Sequence, residues 1–226
     1  MHFDLSIQNN DLTIYCSNGL EKFSNEFINY YNDNIGRIKK ALSVDMDARM
    51  VLALTDDESQ INFVYSKSDF SGFFNDKGAF AYINLLGSKS KGDMFKSLMH
   101  ELTHHLYKYY VYGDSKTRIT WADEGIAQFV SGQKEELNDG IKYLLFVKEN
   151  IECLGNINLN ELNHNDKSFG NNNGYNLSYI AIRYLYETND HGEFINIIKS
   201  QDRLLELGET MIANIKEYYG INNKTI

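Results

Sequence analysis

Proline is absent from all 226 residues of the sequence, so its turns must be built from glycine, asparagine and aspartate. A stiff proline-rich linker between domains is therefore excluded. Cysteine is nearly absent as well. Cys16 and Cys153 are the two present, which excludes a disulfide framework or a cysteine-ligated zinc ribbon. One disulfide at most is open to them, and free thiols are the simpler interpretation.

Basic charge and long apolar runs are also scarce. Lysine and arginine number 22 against 31 acidic residues, a net charge of -9 with no basic stripe, so we expect no nucleic-acid partner. No run approaches the roughly 18 apolar residues of a membrane-spanning helix. The start at Met1–Asp4 lacks the basic and apolar regions of a secretory signal. As written, the chain is expected in the cytoplasm, whereas a processed form of a secreted protein would look the same.

The most informative segment present is His100-Glu101-Leu102-Thr103-His104, an HExxH pattern. Four residues at about 100° each bring His104 to within about 40° of His100 on one helix face, so both imidazoles can reach one metal ion. Glu101 lies about 100° round from His100, where it can touch a metal-bound water without competing as a ligand. This spacing predicts two zinc ligands and a general base.

The surrounding pattern predicts a helix whose apolar stripe lies opposite the two histidines. The stripe residues recur at three- and four-residue steps: Phe95, Leu98, Met99, Leu102, Leu106 and Tyr109. Two histidines opposite such a stripe could also belong to a solvated helix face. Glu124 favours the metal site, because it stands in a second apolar helical pattern and supplies a third ligand. Three protein ligands leave one position open, as in catalytic zinc sites.

These residues carry a resemblance to a family. The segments HELTHHL (100–106), ITWADEGIAQF (119–129) and YNLSYIAIRYLY (175–186) resemble gluzincin metallopeptidases, most closely the peptidase subdomain of bacterial collagenases. The likeness runs from about residue 11 to residue 188. It implies Zn²⁺ held by His100, His104 and Glu124, with Glu101 as general base and Tyr175 as the donor to the oxyanion. Tyr179 is the next choice for that donor.

The implied function is a zinc metallopeptidase that cleaves extended or unfolded polypeptide as an endopeptidase. Two alternatives stay open: a catalytically weak or inactive binding module of the same fold, and an exopeptidase of the same chemistry. A base at Glu101 favours an enzyme, since a binding module gains nothing obvious from it. The expected partner is a peptide or protein substrate, and the sequence does not indicate the oligomeric state.

Other polar residues are assigned weaker roles. His105 is expected to pack rather than to bind metal, and His2, His164 and His191 have no partner at ligand spacing. The polar run around His164 predicts a surface loop. Gluzincins often carry an acid four residues after the glutamate ligand, but here Gln128 occupies that position. We expect its amide oxygen to accept from a histidine ligand, with weaker zinc binding unless Asp123 compensates.

The order of elements predicts an α+β, zincin-like fold. An N-terminal mixed sheet with helices precedes a mostly helical half, with an active-site cleft between them. The chain is expected to form a single domain, 1–226, with approximate halves 1–112 and 113–226. Residues 72–78 suggest a turn. In the resembling fold 78–83 matches a sheet edge that could hold a substrate by strand addition, and a plain buried strand is the alternative for this segment.

The predicted strands and helices follow the periodicity of the apolar residues. They are strands at 12–16, 49–55 and 79–84, a helix over 20–42, a helix starting at Asp56 and Asp57, and later helices at 123–131, 141–152, 176–187, 191–201 and 204–219.

Overall fold

A computed structural model describes residues 4–57, 59, 70–75, 77–113, 116–155, 157–164 and 167–221. The chain folds as two compact units, Met1–Tyr110 and Val111–Ile226. The first unit carries the described strands together with two long helices, and the second is helical. This is the predicted α+β order, with a mixed sheet followed by a mostly helical half.

The first unit is built on a sheet of five described strands. Their bounds are β1 Leu5–Asn9, β2 Leu12–Cys16, β3 Met50–Thr55, β4 Phe70–Asn75 and β5 Gly78–Ile83. Across the sheet they lie in the order β1-β2-β3-β5-β4. The β2–β3 and β3–β5 pairs are parallel, and the two outer pairs are antiparallel, so the sheet is mixed as predicted.

The described residues of this unit also form two α-helices, α1 (Glu21–Leu42) and α2 (Lys91–Leu106), and a π-helical segment, Tyr107–Tyr112, follows α2. The Ser90 side chain caps α2 by accepting from the backbone N–H of Asp93 at 3.1 Å, which satisfies a donor in the first turn. The ring of Phe95 packs against Phe23 and Phe27 of α1, with centroids 5.0 and 5.5 Å away. These contacts join α2, which carries the HExxH segment, to α1. Five residues of the predicted stripe are buried, namely Phe95, Leu98, Met99, Leu102 and Leu106, whereas Tyr109 is half-buried.

The structure corrects the turn predicted at 72–78. Gly72, Phe73 and Phe74 belong to β4, and Lys77 is the residue that the structure describes in a turn, directly before β5. The rings of Phe73 and Phe80 stack across the two strands at 4.9 Å, which stabilises the pair. Gly78 has a φ of 140°, a conformation that L side chains rarely adopt, so glycine is needed at this turn.

The prediction that 78–83 forms a sheet edge is wrong. β5 pairs with β3 on one side and with β4 on the other, so its backbone groups serve two neighbours. Among the described strands, β4 lies at this edge of the sheet. The pattern at Gly72, Phe73 and Phe74 predicts a turn, but these residues form part of β4. Because β4 pairs with β5 on its outer side, β5 is not at the edge. The helix start predicted at Asp56 and Asp57 runs into residues that lie outside the described ranges.

The described part of the second unit is helical, with two short 3₁₀ turns at Glu135–Asn138 and Leu159–Glu161. The helix bounds are α3 Thr120–Ser131, α4 Gly140–Ile151, α5 Ser168–Asn171, α6 Gly174–Thr188, α7 His191–Lys199 and α8 Gln201–Tyr218. α3 and α6 approach closely at Gly125, where an added Cβ would lie 2.3 Å from the carbonyl oxygen of Ser178. The absence of a side chain at this position therefore lets the two helices pack backbone to backbone.

None of the helices in the described part of the chain combines the length and the apolar character needed to cross a membrane.

Candidate metal centre

The two histidines of the HExxH segment converge within α2. Their Nε2 atoms lie 2.9 Å apart, and the rings meet edge to face with centroids 4.4 Å apart. Both histidines are buried, with His100 8% and His104 3% exposed. The alternative of a solvated helix face is therefore wrong, because neither imidazole is presented to solvent.

Strand β4 supports the face of α2 that carries these residues. The ring of Phe74 stacks on His104 with a centroid distance of 5.0 Å and an interplanar angle of 14°. Two residues earlier on the strand, Gly72 lies against Glu101, and an added Cβ there would be 2.8 Å from Glu101 Cγ. Strand β4 thus fixes the orientation of the His104 ring and limits the space open to the Glu101 carboxylate.

His105 has the packing role expected of it. It is buried, and its Nδ1 lies 3.3 Å from the carbonyl oxygen of Asn75 on β4. Burial lowers the pKa of His105, although the hydrogen bond to Asn75 opposes this shift. The side chain therefore favours its neutral form, which suits a residue that joins helix to sheet.

Glu124 is buried in α3, as the apolar pattern of that helix predicts. Its Oε1 accepts a hydrogen bond from Arg118 Nη2 at 2.6 Å, and His164 Nε2 lies 3.1 Å from the same oxygen. Arg118 also pairs through Nε with the buried carboxylate of Asp123. Burial opposes the charge of Arg118, but Asp123 and Glu124 outweigh it and raise the pKa of the guanidinium.

The ligand atoms offered by His100, His104 and Glu124 lie within 4.8 Å of one another. Two imidazole nitrogens and a carboxylate oxygen are a donor set that zinc prefers. Two nitrogens bound to zinc at about 2.0–2.1 Å in tetrahedral geometry lie about 3.3 Å apart, so the observed 2.9 Å requires only a small opening. The residues present therefore fit a zinc ion, and the chain has a possible metal site at these three side chains.

The two tyrosines considered for the oxyanion occupy different surroundings. Tyr175 is the second residue of α6 and is 47% exposed. Tyr179 is 2% exposed, and its hydroxyl receives a hydrogen bond from Arg183 Nη1 at 3.4 Å. Burial raises the pKa of Tyr179, so its hydroxyl keeps its proton within an aromatic cluster. Of the two, Tyr175 is the one open to solvent.

Gln128 links the ligand helix to Tyr175. Its amide nitrogen donates to the Tyr175 carbonyl oxygen at 2.9 Å and to the Glu124 carbonyl oxygen at 3.3 Å. The amide group that replaces the usual acid thus joins α3 to the first turn of α6. Asp123, the proposed compensating acid, is occupied by Arg118.

Sequence reasoning missed two contacts of the glutamate ligand. The polar run around His164 predicts a surface loop, yet its Nε2 lies beside Glu124, and no pattern in the sequence assigns a role to Arg118, which also contacts this carboxylate. No periodic pattern points to His164, because it reaches the site through its packing on Phe169 at 4.3 Å. For Arg118, the signal available was a single basic residue shortly before two adjacent acids in a helix with an otherwise apolar pattern.

Comparison with known proteins identifies the family. A family model described as collagenase, peptidase family M9, matches residues 76–218, which is more than half of the chain and includes all three candidate ligands. No curated protein matches the chain in a sequence comparison. Peptidases of this family are metal-dependent and act on peptide or protein substrates. With the converging histidines and the buried glutamate, this match shows that the chain belongs to the collagenase family of peptidases.

Proposed function

We propose that the chain is a zinc-dependent endopeptidase that cleaves extended or unfolded polypeptide. The observation that carries the proposal is the pair of buried imidazoles, with Nε2 atoms 2.9 Å apart, in a cluster with a carboxylate. His100, His104 and Glu124 would hold the ion. When bound by three protein ligands, zinc supplies a Lewis acid that lowers the pKa of a water molecule to about 7.

Glu101 acts as the general base in this proposal. It follows His100 directly in α2, but the metal-ligand cluster does not include it. Its carboxylate accepts a proton from the attacking water and later delivers one to the leaving amine nitrogen. The close approach of β4 at Gly72 supports this role, because it restricts the positions that the Glu101 side chain can take.

The hydroxyl of Tyr175 donates a hydrogen bond to the oxyanion in this proposal. Support comes from the contacts that tie it to the glutamate ligand. Gln128 binds its backbone carbonyl, and its ring packs edge-on against Phe169 at 4.8 Å and lies 5.8 Å from the ring of His164. A donor fixed before the reaction stabilises developing charge without the cost of reorganisation.

Strand β4 offers a place for an extended substrate. As the edge among the described strands, it can pair with a peptide backbone through main-chain hydrogen bonds. Such pairing places little demand on side chains, which favours extended and unfolded substrates. The strand-addition role expected for 78–83 therefore moves to β4, whose Gly72 lies against the proposed base.

The test is digestion of an unfolded protein and of a peptide library with blocked termini, with and without a chelator. We expect internal cleavage that the chelator abolishes and added zinc restores. Cleavage of peptides with free termini alone would make the enzyme an exopeptidase, and no cleavage by zinc-loaded protein would make it a binding module.

A matched pair of variants assigns the base. Glu101→Gln is expected to retain zinc and to lose about 10² to 10⁴ in rate, the usual contribution of general acid–base catalysis. Glu149→Gln makes the same change at an exposed position of α4 and should leave the rate unchanged. Equal turnover in the two variants would remove Glu101 from the mechanism.

A further inference from the structure

The carboxylate of Glu124 is held by one oxygen through contacts made within its own unit. Arg118 Nη2 donates to Oε1 at 2.6 Å, and His164 Nε2 lies 3.1 Å from the same atom. An ionised carboxylate can only accept hydrogen bonds, so we assign Nε2 of His164 as the donor to Glu124 Oε1. Two donors from separate parts of the chain therefore converge on a single oxygen of the metal ligand.

The charges around Glu124 are arranged so that Arg118 does not cancel its attraction for a cation. Arg118 pairs with both Asp123 and Glu124, so one positive charge stands between two negative ones. The group keeps one net negative charge. Asp123 and Glu124 have side chains only 4% and 7% exposed, which makes this balance necessary for their burial.

Packing fixes the ring of His164. It lies on Phe169 with a centroid distance of 4.3 Å, and Phe169 is fully buried. The ring of Tyr175 stands perpendicular to Phe169 at 4.8 Å. The imidazole of His164 therefore packs on a core residue while its Nε2 contacts Glu124. The His164 side chain is 30% exposed.

We propose that His164, acting with Arg118, is a positioning residue for the metal ligand Glu124. The two donors hold the carboxylate by Oε1 in one orientation, so that metal binding does not have to order it. The inference rests on the proposed zinc site and adds a residue outside the HExxH segment and its glutamate. Hydrogen-bond partners of this kind typically change metal affinity by about 10- to 100-fold when they are removed.

The test measures the zinc dissociation constant by competition with a chromophoric chelator. We expect His164→Ala to bind zinc about 10- to 100-fold more weakly than the wild type. His164→Gln keeps an N–H donor and should recover part of the loss. The matched control is His191→Ala, which removes an exposed imidazole at the start of α7 and should leave the affinity unchanged.

Thermal unfolding of the metal-free proteins separates positioning from a general structural role. Positioning predicts that His164→Ala lowers zinc affinity while the metal-free protein stays folded, with only a small drop in its midpoint because the side chain is partly exposed. Wild-type affinity in His164→Ala, or a loss that His164→Gln does not reduce, would overturn the inference. Failure of the wild-type chain itself to bind zinc would instead refute the proposed function.

Discussion

Gly72→Ala is the smallest change that should disable the proposed base without touching a metal ligand. An added Cβ would lie 2.8 Å from Glu101 Cγ and 3.0 Å from both Cδ and Oε1. Non-bonded carbon atoms prefer about 3.5–4.0 Å, so the Glu101 side chain has to retreat by about 0.7 Å or more. The φ of Gly72 lies outside the positive region, so the backbone itself accepts alanine.

The size of the effect follows from this displacement. Misplacing a reacting group by about 1 Å can cost about 100-fold in rate. We therefore expect kcat/KM to fall about 10- to 100-fold, equivalent to about 1.4 to 2.7 kcal/mol of activation free energy. Zinc affinity should be unchanged, because Glu101 is not one of the three ligands. The assay is cleavage of a blocked fluorogenic peptide by zinc-loaded protein.

Two further variants make this test specific. Gly36→Ala places the same methyl group on α1, where nothing in the described part of the chain lies within 4 Å of it, and should keep full turnover. Adding Gly72→Ala to Glu101→Gln should cause no further loss if glycine acts only through the base. Wild-type turnover in Gly72→Ala, or a full additional loss in the double variant, would refute the reasoning.

Three other predictions concern stability and thiol chemistry. Gly125→Ala should lower the free energy of unfolding by about 1–3 kcal/mol in chemical denaturation, since its Cβ would meet the Ser178 carbonyl oxygen at 2.3 Å. Burial raises the pKa of Cys16 while Cys153 is exposed, so a thiol reagent should modify Cys153 alone in the native protein and both cysteines after unfolding. Asp139 caps α4, and a hydrogen bond from a backbone N–H in the first turn lowers the pKa of its carboxyl. Its contribution to the free energy of unfolding is therefore fully present above about pH 4 and is lost as the pH falls through the lowered pKa. Asp139→Asn, whose cap does not titrate, should make the melting temperature less sensitive to acid, and an unchanged acid dependence would contradict this.

The helices of the candidate site could be predicted because their apolar residues follow a helical period. The stripe opposite His100 and His104 predicted α2, and the pattern after Glu124 predicted α3. Within one helix, spacing fixes direction, so the convergence of two imidazoles at positions i and i+4 could be deduced without tertiary information. In the structure the two Nε2 atoms lie 2.9 Å apart and both residues are buried.

The remaining features depend on interactions between residues distant in sequence. Gly72, Phe73 and Phe74 suggested a turn, but pairing with β5 makes them a strand. This pairing also moved the sheet edge away from 78–83. His164 stands in a polar run that predicts a loop, and its packing on Phe169 brings it to Glu124. Neither outcome has a local periodic signal, because tertiary packing overrides local propensity.

The most direct test of the metal site is elemental analysis of the purified chain after incubation with zinc and removal of excess ion. The site described by His100, His104 and Glu124 predicts one equivalent of zinc in the wild type and in Glu101→Gln. It predicts loss of that zinc in His104→Ala and Glu124→Ala. A wild-type chain without zinc, or a full equivalent in both ligand variants, would contradict the account.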